Sequence, residues 1–196
     1  MADNILHKEK TFSNVDYSGK RLENREFFKC EFVNCDFSKS DLRHNDFENC
    51  TFQRCNFSMA VLDGAGFRDA TFIECKLLGL DFSRCNKFMF SFSFQNCYLD
   101  YSIFFGTNLK KTIFKNCSLK EVDFSNADLS QSQFDHTDLS RATFSNSNLE
   151  KADFRTALNF SIDPEFNKLK KSKFSETNLS GLLHKYGLDI EGHDRD

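Results

Sequence analysis

Three groups of residues in this 196-residue chain have types and spacings that could do chemistry. Asp135, His136 and Asp138 set an imidazole beside carboxylates, the pairing that orients a general base for a nucleophile. Eight cysteines, Cys30, Cys35, Cys50, Cys55, Cys75, Cys85, Cys97 and Cys117, supply thiols for metal or redox chemistry. Acids gather along one edge of the N-terminal half, with Asp41, Asp46, Asp63, Asp69 and Asp81 at its centre and Glu23, Glu26 and Glu48 beside them; Arg21, Arg43 and Arg68 dilute them. What each group can do depends on the element that holds it.

That element has a period of five. In Val122–Leu139 a large apolar residue recurs at Phe124, Leu129, Phe134 and Leu139, and two residues before each stands a small one: Val122, Ala127, Ser132 and Thr137. Five fits neither the 3.6 of a helix nor the 2 of a plain strand. Phe and Leu alternate without a break at every fifth position from Phe94 to Phe154, and an earlier run extends from Phe12 to Phe82 with Phe, Leu and Tyr17. Such self-similarity marks a solenoid, in which neighbouring coils bury what no single coil can.

The unit, with Ala127-Asp-Leu-Ser-Gln131 and Ala152-Asp-Phe-Arg-Thr156 as near-ideal copies, resembles the pentapeptide-repeat family. The resemblance implies an all-β fold: a right-handed quadrilateral parallel β-helix, four repeats to a coil of about 20 residues, with the large and small residues inward. All eight cysteines then fall on small inward positions. Stacked thiols about one strand spacing apart keep their Cβ atoms beyond the usual disulfide range. Spacings of 5, 15 and 20 residues are also not the close pairs of zinc modules. Free, buried cysteines are expected, with no metal and no cofactor. Asp135 and His136 fall on outward corners with no nucleophile in a pocket beside them, so a solvated corner is expected and no catalytic residue is assigned.

The chain then divides as follows. Residues 1–25 form an irregular first coil, with Lys10, Lys20 and Arg25 where small inward residues belong. A first tower spans 26–82, and residues 83–93 carry a register slip, because Phe82 and Phe94 are twelve residues apart where ten are required. A second tower spans 94–174, with Asn159 and Pro164 in two core positions. A short C-terminal α-helix within 175–190 brings Leu179, Leu182, Leu183 and Tyr186 onto one face, followed by Leu188 and Ile190, and 191–196 form a flexible tail. The helix either seals the last coil or pairs with its own copy across a two-fold axis. Alternation of Phe88, Phe90, Phe92 and Phe94 is a strand signal. The slip is read either as a kink that accommodates stacking or as a ledge of Lys87, Phe88 and Met89 that contacts a partner. The acidic edge is likewise either repeat grammar, Asp serving nearby backbone, or a stripe for a basic partner.

Composition excludes several classes. Net charge is only −3, and 25 phenylalanines dominate the apolar content. No apolar run spans a bilayer, and the N-terminus lacks a signal-peptide pattern; a cytoplasmic protein is expected. The Ile162-Asp-Pro164 stretch, Lys170-Lys-Ser-Lys-Phe-Ser175 and Leu182-Leu-His-Lys-Tyr-Gly-Leu-Asp-Ile190 are similar to the branch that protects DNA gyrase, which includes Qnr-type quinolone-resistance proteins and the immunity proteins for microcin B17 and albicidin. That resemblance implies a non-enzymatic homodimer, joined through the C-terminal helix, that binds gyrase, with topoisomerase IV as a further candidate target. It also implies duplex mimicry, yet a rod of about 40 Å would need roughly 23 negative charges to match DNA. No membrane contact and no direct nucleic-acid binding are expected. A scaffold with another partner, and a metal or redox protein, are the alternatives.

Overall fold

The structure, a computed structural model, describes residues 5–22, 24–88 and 90–190. The chain winds into a parallel β-solenoid with four faces. On the first face lie Ile5–Lys8, Arg25–Phe28, Asp46–Glu48 and Gly66–Arg68, paired in that order into one parallel sheet. On the second, Thr11–Ser13, Glu31–Val33, Thr51–Gln53, Ala70–Ile73, Phe92–Gln95, Ile113–Lys115 and Gln133–Asp135 form a seven-stranded parallel sheet running most of the molecule's length. The third and fourth faces are held by single parallel bridges such as Asp36↔Asn56 and Asp41↔Val61.

Each coil contributes one large side chain per face, and like faces stack. The second face is phenylalanine throughout: Phe12, Phe32, Phe52, Phe72, Phe94, Phe114, Phe134, Phe154 and Phe174 form one column, successive centroids 4.6–5.4 Å apart and rings nearly parallel. Offset stacking at this separation is favourable beyond the area it buries. The other faces change partway. Phe27, Phe47 and Phe67 on the first face give way to Leu109, Leu129 and Leu149, whereas Leu22, Leu42 and Leu62 on the fourth give way to Phe82, Phe104, Phe124 and Phe144. A narrow tube holds a limited volume, so rings added on one face are offset by leucines on another.

The exchange happens at the slip. Strand Ala70–Ile73 pairs with Phe92–Gln95 at an offset of 22, Phe72 against Phe94, whereas Phe52 pairs with Phe72 and Phe94 with Phe114 at 20. Among the described residues the first face has no inward large residue in this coil: Lys87 is exposed and Phe88 is 71% exposed. Phe92 fills the gap from a position that is small elsewhere in its column (Cys30, Cys50, Ala70, Thr112, Ser132). Its ring lies 5.7, 5.5 and 5.4 Å from those of Phe67, Phe82 and Phe94, with Phe90 at 4.4 Å. Of the alternating phenylalanines only Phe92 and Phe94 belong to a strand. Met89 lies outside the described residues.

Corners are left-handed. The residue two after the inward large one has positive φ in nearly every repeat, as at Asn14 (55°), Asn34 (53°), Asn126 (58°) and Lys151 (60°). Asn and Gly reach this region most readily, and both recur there.

At the N-terminal end Lys10 and Lys20 are exposed, Lys20 Nζ donates to the Asp16 carbonyl, and half-buried Arg25 reaches His7 Nε2 at 3.3 Å. Burial, with Arg25 and Lys10 nearby, holds the His7 pKa below its ordinary value. At the other end Phe160 and Ile162 are buried in place of the expected Asn159 and Pro164, both of which are exposed. The expected α-helix is instead two 3₁₀ segments, Glu176–Leu182 and His184–Tyr186, with i→i+3 bonds such as Leu183 N to Ser180 O at 2.9 Å. With three residues per turn the four apolar residues fall into two rows. Gly181, pressed against Phe160, and Leu182 cover the last coil. Residues 191–196 lie outside the described residues.

Candidate functional site

The tube is filled, so any function sits on its outside. Asp135 and His136 occupy a corner as expected: His136 Nδ1 and Asp135 Oδ1 are 2.8 Å apart, and Thr156 Oγ1 donates to the same oxygen at 3.1 Å. These bonds hold the Asp135 carboxyl below the usual range. A shallow, open groove beside them is lined by Gln133, Phe134, Asp135, Asp153, Arg155 and Thr156. Arg155 is tied to Asp153 at 2.7 Å. The groove thus presents satisfied ion pairs and no activated nucleophile.

The cysteines are buried and free. Cys35, Cys55, Cys75, Cys97 and Cys117 stack in one column; Cys55 N donates to Cys75 Sγ at 3.4 Å and Cys75 N to Cys97 Sγ at 3.5 Å. Their thiols donate to carbonyls, as from Cys55 to Phe32 O at 3.4 Å. Burial pushes the Cys35, Cys50 and Cys85 thiols up, Cys50 to about 12. Among the described residues no three metal-ligating side chains converge.

The acidic edge is a ladder of ion pairs. Arg43 meets Asp41 at 2.6 Å, Arg68 bonds Asp46 and lies 3.0 Å from Glu48, and Arg84 lies 3.1 Å from Asp63 and 3.8 Å from Asp81. Hydrogen bonds from Arg43 hold Asp41 at about 2. Asp69 accepts from Ser91 Oγ at 2.7 Å. Asp41 and Asp81 also accept from the backbone N–H two residues on, at 3.1 and 3.0 Å, and Asp16, Asp36, Asp123, Asp128 and Asp138 do the same. The recurrent Asp is therefore a turn-stabilising acceptor.

Two apolar surfaces stand out. At the C-terminal end Leu179, Tyr186, Leu188 and Ile190 are 42–58% exposed, Leu158 and Phe166 nearby in the chain are exposed as well, and Leu182 and Leu183 are half-buried. Lys185 Nζ, 2.8 Å from Asp163 and 2.9 Å from Glu165, ties the last turn to the coil before it. Asn178 fixes the end from below: its Oδ1 accepts from Ser175 N and its Nδ2 donates to Phe154 O at 2.8 Å. The second surface lies mid-rod, where Met59, Val61, Tyr98, Tyr101, Ile103 and Phe105 are 39–61% exposed. The inward register says nothing about it; the signal was four large apolar residues in outward positions within eight residues. Exposed Phe88 belongs to the adjoining slip, its N–H bonded to Asn86 Oδ1 at 3.1 Å.

No helix of the described residues is long and apolar enough to cross a membrane. A family model described as a pentapeptide repeat region matches residues 25–104, and one for pentapeptide repeats (8 copies) matches 93–131 and 117–155. No curated protein matches the sequence. Among solved structures the chain is similar to HetL, a pentapeptide repeat protein involved in heterocyst differentiation regulation from the cyanobacterium Nostoc sp. strain PCC 7120, at 18% identity and a TM-score of 0.73 over 90% of this chain and 87% of that one. It is also similar to a trypsin-treated form of QnrB1, a plasmid-mediated fluoroquinolone resistance protein, at 21% identity and a TM-score of 0.54 over 96% and 98%.

Proposed function

Because the chain belongs to the pentapeptide-repeat family, we propose that it works by binding, without catalysis, and that its partner is a type II topoisomerase, DNA gyrase, which it protects from quinolone or peptide poisons. The observation that carries this reading is the end-to-end correspondence with QnrB1, 96% of one chain on 98% of the other. A filled rod whose corner groove at Asp135 and Arg155 holds paired groups favours binding over turnover, since catalysis needs a site where charge can develop against prepared groups. Balanced ion pairs along the acidic edge direct recognition away from whole-surface charge mimicry of DNA, and contact at particular side chains carries it instead.

The C-terminal end supports a homodimer. Exposed Leu179, Tyr186, Leu188 and Ile190 sit at one end of a rod, where an isologous contact closes on itself and adds no further copies. A second reading, a regulator with a different protein partner, is favoured by the higher TM-score to HetL. Supercoiling by purified gyrase, with and without a quinolone, separates them. Rescue that rises with added protein and is lost in Leu188→Asp/Ile190→Asp, together with a halved mass in sedimentation, supports protection by a dimer. No rescue at any ratio rejects gyrase in favour of the second reading.

A further inference from the structure

Outward positions on the fourth face follow a simple polar pattern. Before the inward residue stand Arg21, Asp41, Asp81 and Asp123, and after it Arg43, Asp63, Ser83 and Ser125. Mid-rod the pattern breaks: Val61 and Ile103 take the first position, and Phe105 the second. Met59 and Tyr101 occupy the corner entering that face, both 61% exposed. Gly79 lies between them at the same corner, and a Cβ there would stand 2.8 Å from the Met59 sulfur, so glycine lets the methionine lie across its coil. None of these side chains fills the core, and apolar surface kept exposed beyond what packing needs marks an interaction site.

Among the described residues, two carboxylates stand beside this surface without a cation. Asp100 accepts from Ser118 Oγ at 2.6 Å and Lys120 N at 2.9 Å, and Asp123 from Ser125 N at 2.8 Å. Neither has a cationic side chain within ion-pair distance among the described residues, unlike Asp41, Asp46, Asp63 and Asp81. Aromatic faces beside unpaired carboxylates suit lysine or arginine side chains, whose stems lie on rings while their heads reach the acids.

Resting on the topoisomerase reading above, we propose that this surface of Met59, Val61, Tyr101, Ile103 and Phe105 is where the chain docks on gyrase, and that it receives an apolar segment bordered by basic residues. Asp41 and Asp81, bridged to Val61 and Ile103, then border the contact, and the C-terminal end lies outside it.

The test rewrites the surface in the repeat's own residues: Tyr101→Asn, since asparagine serves other left-handed corners, Ile103→Asp, as at Asp123, and Phe105→Ser, as at Ser125. Single, double and triple variants of the full chain are measured against immobilised gyrase by surface plasmon resonance, with melting followed by circular dichroism. The triple variant is expected to melt with the unaltered chain and bind at least tenfold more weakly, in line with loss of aromatic anchors, whereas Asp46→Asn/Asp69→Asn, away from that face, stays within about threefold. Binding by the triple variant within about twofold of the unaltered chain overturns the assignment and leaves the gyrase reading standing. Loss confined to variants whose melting has shifted also counts against it. No binding by the unaltered chain removes the gyrase reading and this inference together.

Discussion

Phe92 separates repeat grammar from packing. Its column holds Cys30, Cys50, Ala70, Thr112, Ser132 and Ala152, so consensus reasoning scores Phe92→Ala as a repair. Packing gives the opposite sign. The ring is 7% exposed, and those of Phe67, Phe72, Phe82, Phe90 and Phe94 surround it at centroid distances of 4.4–6.3 Å. Among the described residues on the first face of that coil, Lys87 and Phe88 are exposed and do not take its place. Removing a buried phenylalanine costs about 3–5 kcal/mol, transfer and cavity together, and for a chain of this size that lowers the melting midpoint by roughly 6–20 °C. Guanidinium denaturation gives the free energy. Hydrogen exchange gives its location, with faster exchange expected first at Gly66–Arg68 and Phe92–Gln95. A midpoint within about 3 °C of the unaltered chain would refute the claim that Phe92 replaces a missing core residue.

Other outcomes follow from the same geometry. Gly181→Ala should loosen the C-terminal end, since the new Cβ would stand 2.6 Å from Phe160 O and 2.4 Å from its ring; limited proteolysis should then cut near 175–186 well before the coils open. All eight thiols should resist an aromatic disulfide reagent at pH 8 in the native state and react once the chain is denatured, because each is buried. Asp41 contributes stability that is complete above its unfolded pKa of about 3.9 and is lost as pH falls through about 2. Asp41→Asn should therefore flatten that part of the acid-denaturation curve, by a small amount because the pair is largely exposed.

The five-residue period made the inward columns legible, and the two extra residues before Phe94 located the slip, because burial constrains those positions tightly. What lay outside the register was harder to read. The left-handed corners were signalled by Asn14, Asn24, Asn34, Asn116 and Asn126, residues that a reading of apolar positions passes over. Phe92 and Ile162 each fill, from a small position, a core place that the neighbouring register leaves empty, and period counting assigns the place to the wrong residue. At the C-terminus, spacing 3, 4 and 7 suits an α-helix, but docking of Gly181 on Phe160 accompanies a tighter 3₁₀ path. The acidic edge was found as a set of residues, and Arg43 stands two from Asp41, yet the pairing of Arg68 with Asp46 comes from stacking, 22 residues apart. The Met59–Phe105 surface was missed because it spans coils whose outward neighbours are about 20 residues distant.

A rod in which every coil touches only the coil before and the coil after has a mechanical character. Pulled from its two ends, it has no crosslink to spread the load, so coils should peel from the termini one by one. Each 20-residue coil releases roughly 60–65 Å of contour, the extended chain less one strand spacing. The coil that carries the slip holds two residues more and should give a step about 7 Å longer. In an optical trap that one long step would mark how far the peeling had travelled along the molecule.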